Sequence, residues 1–378
     1  MIRPVLAEDA LAEVEGMTTT LARIFADAGF TAIQPAHLFP AETLLDLYGE
    51  DVRARAFLFP DPALGGELCL RPDFTVPVAL SHGARGWDRP GAYTYQGPVF
   101  RRQEVGTIRP IEYMQAGIED FGAPDRAATD ARVYALINRG LEAIGAPAYR
   151  ATIGDLGVIF GLLDAIGLSA HRHARLRRHL WRPQRFQQVL EQYAAPPAPP
   201  SPQRAGLIAA VAEGRVAELA AEAGEIVGRR TLSEVMVRAK RLAETAEDPP
   251  IAAEQAELIE AVLSISGPAP GVPARLRALA EAGGVALAAP ITLFEARLDA
   301  MEQAGIDVAG LTFDAAFGRN LEYYDGFVFE IVAQGGPDLP PLAGGGRYDA
   351  ITARLGATGL VPAVGAMIRP EAVREARR

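Results

Sequence analysis

Apolar positions change their period along the chain, and the changes mark out its elements. Near 8–28, Leu11, Val14, Leu21, Ile24 and Phe25 recur close to every 3.6 residues and Gly29 supplies a stop, which predicts a first helix. A short apolar strand punctuated by Pro35 and Pro40 follows (FTAIQPAHLFP), and further strands are predicted at 54–60, 66–73, 91–102 and 112–122. Val133, Leu136, Ile137 and Leu141 then share one face of a helix from about Ala127 to Ile144. Strands separated by turns, with long helices only afterwards, predict an α+β fold on a largely antiparallel sheet rather than alternating βαβ units.

The middle changes character. From about 168 to 282 the chain is helical and alanine-rich, broken by proline clusters at 194–202, 247–250 and 267–273 that read as linkers or sharp turns. Strand patterning returns at 311–336, followed by a glycine-rich segment at 342–352 (LAGGGRYDAIT) and a last apolar strand at 359–368. The simplest organisation is one α+β core in two parts, 1–167 and 283–378, interrupted by a helical insertion over 168–282.

Composition narrows the class. With 378 residues, 49% hydrophobic and 22% charged, the chain can bury a substantial core, which excludes disordered, collagen-like and disulfide-stapled proteins. Cys69 is the only cysteine, so an internal disulfide and a multi-thiolate metal site are both excluded; a reducing compartment and a small buried hydrophobe are expected. Thirty-seven basic against 47 acidic residues give −10, a balance unlike that of a dedicated nucleic-acid binder, although a local basic groove stays open. No run of about 18 apolar residues occurs and the acidic start lacks a signal layout, so a cytoplasmic protein without a membrane partner is expected.

Four segments concentrate charge inside apolar strand patterns. LRPDFT carries Arg71, Asp73 and Thr75; FRRQEVGTIRP carries Arg101, Arg102 and Arg109; EYMQAGIED carries Gln115 and Glu119; GRNLEYYDGFVFE carries Arg319, Glu322, Tyr323 and Tyr324. Gln115 and Glu119 stand four apart and so on one face of a strand. Buried charge without partners is expensive, so such strands either build a polar pocket or present a solvated, salt-bridged face. As a pocket they offer carboxylates for an ammonium group, an amide, phenols, and arginines for a carboxylate or phosphate. In a regular strand Tyr323 and Tyr324 point to opposite faces, and Tyr324 is the one expected to line a pocket.

Other charged features are less pointed. HRHARLRRHLWRPQR (171–185) is the strongest basic run, readable as a solvated helix face, an RNA-facing helix or a dock for an acidic surface. His171 and His173 are two apart with no flanking carboxylates, so no metal site and no cofactor are expected. AGGGRYD lacks the phosphate-loop pattern and any lysine; its glycines are expected to permit a tight turn and close backbone approach.

GPVFRRQ at 97–103 resembles motif 2 of class II aminoacyl-tRNA synthetases, with Arg101 as its arginine. Together with LRPDFT (70–75), QAGIE (115–119), GRNLEYYDGFVFE (318–330) and AGGGRYD (343–349), in that order, the chain resembles histidyl-tRNA synthetase. The resemblance implies a class II catalytic fold, an antiparallel sheet flanked by helices, normally dimeric with Pro35 near the interface. It implies amino-acid recognition by Asp73, Thr75, Gln115, Glu119, Tyr323 and Tyr324, with Arg319 and Arg101 near the carboxylate. Asp73, Asn320 and Glu322 depart from the usual glutamate, glycine and aspartate.

On the ATP side the pattern fails. Gln103 replaces the motif 2 glutamate, and Ala372 occupies the position of the motif 3 arginine, with Arg369 three residues earlier and Pro370 opposing a helix through it. Loss of such a charged clamp costs orders of magnitude in rate, so amino-acid activation and any catalytic residue of its own are not expected. The chain stops soon after motif 3, where a synthetase would continue into an anticodon-binding domain. It is therefore most similar to the regulatory subunits of ATP phosphoribosyltransferase. That resemblance implies a hetero-oligomer with a short catalytic subunit at the first step of histidine biosynthesis, histidine as feedback effector, and no tRNA partner; a truncated synthetase-like enzyme is the alternative.

Overall fold

The computed structural model describes residues 7–43, 47, 53–63, 65–103, 109–180, 182–196, 199–222, 231–318, 323–335 and 339–378. Their strands are β1 (Thr31–Ala32), β2 (Leu38–Pro40), β3 (Leu58–Pro60), β4 (Glu67–Leu70), β5 (Gly91–Phe100), β6 (Glu112–Phe121), β7 (Tyr149–Asp155), β8 (Ser266–Pro268), β9 (Thr312–Asp314), β10 (Phe327–Ala333), β11 (Ala343–Arg347) and β12 (Ala363–Ile368). Nine of them form one sheet in the order β1-β5-β6-β12-β11-β10-β7-β9-β8; β2-β4-β3 form a small second sheet. Every pairing from β5 across to β7 is antiparallel, and only β1 and β9 add parallel contacts. The expected α+β, class II synthetase-like architecture is therefore the one observed.

Helices pack on both faces of this sheet, Arg126–Ala143 on the Asp120 side and Thr75–Gly83 on the Glu119 side. α1 (Glu8–Asp27) and the later α3 (Arg126–Ala143) fall within a residue or two of their expected bounds, while α2 (Thr75–Gly83), which follows LRPDFT, escaped the sequence pattern. Asp125 caps α3, accepting from the Ala128 N–H at 3.0 Å. Val133, Leu136, Ile137 and Leu141 of α3 are buried as its periodicity requires. β7 was also missed: YRATIGD carries too few consecutive apolar residues to announce a strand, yet it pairs along its whole length with β10.

Between β7 and β9 lie α4 (Leu156–Ala165), α5 (Ala170–His179), α6 (Pro183–Ala194), α7 (Pro202–Ala212), α8 (Val216–Glu222), α9 (Leu232–Glu247), α10 (Ala253–Leu263), α11 (Val272–Ala282) and α12 (Ala288–Gln303). Ala210, Val216 and Ala239 of α7 to α9 form a small core of their own, separate from the main one. The chain closes with α13 (Asp349–Arg354) and α14 (Pro370–Ala376). No helix among the described residues is long and apolar enough to cross a membrane.

Two expectations are corrected. AGGGRYD is no turn: Ala343–Arg347 is the buried strand β11, near the middle of the sheet. Close approach is what its glycines serve, since a Cβ on Gly345 would sit 2.4 Å from both the Gly365 carbonyl and the Ala366 Cβ. And 311–336 is not continuous strand; Tyr323 and Tyr324 precede β10, outside the ladder.

Candidate functional site

Strand alternation decides which groups share the Glu119 side of the sheet. In β6, Gln115, Gly117 and Glu119 share one face, opposite Gly97, Tyr95 and Tyr93 of β5. On its other edge Glu119 pairs with Gly365 of β12, which pairs in turn with Gly346 of β11. Glycine at these positions is a matter of space. A Cβ on Gly365 would lie 1.6 Å from Glu119 Oε2, one on Gly117 2.5 Å from the Tyr95 hydroxyl oxygen, and one on Gly346 2.9 Å from the Tyr324 ring. Three glycines thus make a floor on which longer side chains converge.

Glu119 is the centre of that convergence. It is wholly buried. Its Oε1 accepts from Thr75 Oγ1 at 2.9 Å and from the Tyr95 hydroxyl at 3.3 Å, while the Tyr348 hydroxyl donates to Oε2. Burial pushes its carboxyl up to about 8, against the three hydroxyl donors, which favour the ionised form, and with the repulsion of Asp73. Burial and the Glu119 charge together hold the Tyr95 and Tyr348 phenols well above their ordinary range.

Asp73 stands beside this group on the loop entering α2. Its Oδ1 accepts from the Thr75 N–H at 3.1 Å, an Asx turn that aims the Thr75 hydroxyl at Glu119. The Tyr323 hydroxyl reaches Asp73 Oδ2 at 3.3 Å and Thr75 Oγ1 at 3.4 Å. Arg101, just beyond β5, donates from Nε to the Pro72 carbonyl at 2.7 Å and brings Nη2 to 3.8 Å from Asp73 Oδ2. Gln115 is also buried, and its Oε1 has no hydrogen-bond partner among the described residues, an acceptor left open.

The structure therefore gathers Asp73, Thr75, Arg101, Gln115, Glu119, Tyr323 and Tyr324 into one region. Arg319, and Glu322 with it, lie outside the described residues. Tyr323 and Tyr324 do not part to opposite faces. Free of the ladder, both are buried with ring centroids 4.6 Å apart, and Tyr323, the less favoured of the two, makes the hydrogen bonds to Asp73 and Thr75. Two members went unrecognised, Tyr95 and Tyr348. The period-2 pattern of β5 places Tyr95 on the Gly97 face and was a usable signal; Tyr348, after a glycine run read as a turn, had none.

Arg71 borders the cluster. It is fully buried and stacks 3.9 Å from the Phe74 ring centroid, donating to the carbonyls of Pro98 at 2.9 Å and Pro35 at 2.7 Å. It braces the loop that carries Asp73, with its guanidinium beside Gly97 and in electrostatic contact with Tyr95. Cys69 is buried, with its thiol pushed up to about 11 by burial, as an inert core residue.

On the far side of the sheet a second buried polar network fixes the frame. Asp130 of α3 accepts from Arg297 of α12 at 2.8 Å and from Arg347 of β11 at 2.7 Å. Arg297 also holds Asp155 at 2.5 Å, and Arg347 holds Asp349 at 2.9 Å. Because Arg347 and Asp349 flank Tyr348, charges behind the sheet set the placement of a hydroxyl in front of it.

The positions assigned to ATP are engaged otherwise. Gln103 Nε2 donates to the Pro110 carbonyl at 3.0 Å, and Ala372 is buried within α14, whose first residue is Pro370. Arg369 precedes that helix and donates to the Pro341 carbonyl at 2.9 Å. Of the basic run, Arg172 pairs with Asp248 at 3.2 Å, His173 with Asp164 at 2.9 Å, and Arg177 lies on the Phe160 ring. Arg178, Arg182 and Arg185 are exposed, and Trp181 lies outside the described residues.

Known proteins resemble this chain along nearly its whole length. A family profile described as histidyl-tRNA synthetase matches residues 2–373. A protein of Mesorhizobium japonicum named ATP phosphoribosyltransferase regulatory subunit is 37% identical, covering 95% of this chain and 98% of its own length. One of the same name from Sinorhizobium fredii is 34% identical over 96% of this chain and 94% of its own length. Among solved structures, an ATP phosphoribosyltransferase regulatory subunit/histidyl-tRNA synthetase from Bacillus halodurans superposes with a TM-score of 0.71 at 22% identity, covering 100% of this chain and 82% of that one. A histidine–tRNA ligase subunit from Alicyclobacillus acidocaldarius gives 0.60 at 23% identity, covering 99% of this chain and 96% of that one.

Proposed function

The chain belongs to the family of ATP phosphoribosyltransferase regulatory subunits, and from that membership we propose that it activates a separate short catalytic subunit and lends histidine its feedback inhibition. It performs no phosphoribosyl transfer by itself. The observation that carries the proposal is the 34–37% identity to regulatory subunits that are matched over 94% or more of their own length. Within the family fold, the helical insertion is assigned to 168–282 between core parts 1–167 and 283–378.

Histidine is assigned to the cluster around Glu119. The α-ammonium suits Asp73, the two imidazole nitrogens suit Glu119 and a tyrosine hydroxyl, and the open Gln115 acceptor suits a further N–H. Arg101, with Arg319, suits the carboxylate. Amino-acid activation is lost in this reading, because glutamine and alanine at 103 and 372 supply neither the carboxylate nor the cation that an adenylating site needs. The core self-associates as a dimer, and tRNA is not a partner.

Co-expression with a short catalytic subunit tests the assembly, and calorimetry tests the effector site. The two chains are expected to co-purify. Glu119→Ala is expected to weaken histidine binding by at least about tenfold, on the order of 1.4 kcal/mol. Recovery of this chain only with itself contradicts the partnership; unchanged affinity in Glu119→Ala and in Arg319→Ala places the effector elsewhere.

A further inference from the structure

A buried guanidinium needs negative charge beside it, because a lone cation is costly to take out of water. Among the described residues three arginines are buried, Arg71, Arg297 and Arg347. Arg297 pairs with Asp130 and Asp155, and Arg347 with Asp130 and Asp349. Arg71 pairs with no carboxylate among the described residues. Its Nε and Nη1 donate to the main-chain carbonyls of Pro98 and Pro35, while Nη2 has no hydrogen-bond partner there. Asp73, two residues on, has Arg101 at 3.8 Å instead. Burial lowers the Arg71 guanidinium to about 10, with Tyr95 acting the other way, so the group is still a cation at neutral pH.

The open nitrogen lies on the floor of the cluster. A Cβ on Gly97 would come 2.6 Å from Arg71 Nη2, so glycine is what lets the guanidinium lie there. Gly97 pairs directly with Gln115 of β6, and directly opposed residues share one face. Gln115 is buried and carries a second open atom, the acceptor Oε1. Stacking joins Arg71 to the tyrosines: its guanidinium lies on Phe74, whose ring centroid is 4.2 Å from that of Tyr95, and the Tyr95 hydroxyl donates to Glu119. An unpaired cation and an unpaired acceptor therefore stand at one end of the cluster, with Glu119 four residues along the same face of β6. Neighbouring groups of opposite demand match the head group of an α-amino acid, whose carboxylate accepts and whose ammonium donates.

We propose that Arg71 binds the carboxylate of the amino acid held in the cluster, through Nη2, while the Gln115 side-chain oxygen accepts from the ammonium group beside it. The inference deepens the effector reading above and rests on it. Arg71 is then a ligand-binding residue as well as a brace. The ligand supplies the counter-ion that the fold leaves out. A ligand without a carboxylate forfeits that pairing and leaves the buried cation unmatched, so this end of the cluster selects a zwitterionic head group over a plain amine.

The test is calorimetry on the full chain, wild type and Arg71→Lys, with histidine and with histamine, which keeps the imidazole and the amine and lacks the carboxylate. A lysine ammonium can still serve the Pro35 and Pro98 carbonyls but has no second nitrogen to extend over Gly97. The preference for histidine over histamine is expected to shrink by about tenfold in Arg71→Lys. An unchanged preference, equal weakening of both ligands included, leaves Arg71 a brace only and overturns the proposal, as does a wild-type chain that binds both ligands alike. A wild-type chain that binds neither contradicts the effector reading and the proposal with it. Should Arg71→Lys fail to fold, a crystal structure of the wild-type chain with histidine decides. A carboxylate oxygen within about 3.2 Å of Arg71 Nη2 is expected, and a water there with the carboxylate elsewhere overturns the proposal.

Discussion

Glu119 and Asp120 are neighbours in sequence and opposites in surroundings. Alternation sends Asp120 to the helix side, where Arg132 of α3 meets it at 3.2 Å, and Glu119 to the tyrosine side, where hydroxyls are its donors. Burial moves Glu119 from its ordinary 4.5 to about 8, so the folded chain holds that proton more tightly than the unfolded one. The neutral carboxyl's contribution to stability is whole below 4.5 and is lost as pH climbs through about 8. Thermal unfolding at a series of pH values is expected to show the wild-type midpoint falling relative to Glu119→Gln across that window; parallel curves contradict the assignment. Gln115 and Glu119 were legible in sequence because spacing alone puts them on one face. Tyr95 left a period-2 signal that went unread, whereas Tyr348 was hidden because it follows the glycine strand and reaches the carboxylate only through the tertiary fold.

At the scale of elements, β11 carries the clearest division of labour. Its glycines let β10 and β12 close in, and its end alternates Arg347, Tyr348 and Asp349 between the ionic network and the cluster. Asp130 holds Arg297 and Arg347 at once, so α3, α12 and β11 are fixed relative to one another by side chains with almost no exposure. Arg297→Ala leaves Asp130 and Asp155 with buried charge and less compensation, and is expected to cost roughly 3–5 kcal/mol in chemical denaturation. A loss under about 1 kcal/mol contradicts that role. The long amphipathic helices α1 and α3 were readable within a residue or two, since a repeated period carries its own evidence. The short polar strand β7 and the glycine strand β11 were not, because their pairing partners lie far along the chain and supply the stability their own residues lack.

For the whole molecule, motif order gave the class II architecture before any coordinates, while composition gave only a core-bearing chain. What the structure adds is connection. The cluster, the ionic frame behind it and the start of α4 meet at residues 325–326 and 347–349. A subunit built to regulate needs such a joint, since effector and partner are coupled only if each favours the same state of a shared element. The decisive measurement is phosphoribosyl transfer by the short catalytic subunit, with and without this chain and with and without histidine, alongside histidine-dependent ATP–pyrophosphate exchange by this chain alone. The account predicts stimulation of transfer, its reversal by histidine, and no exchange. An unstimulated catalytic subunit, or robust exchange by the isolated chain, contradicts it.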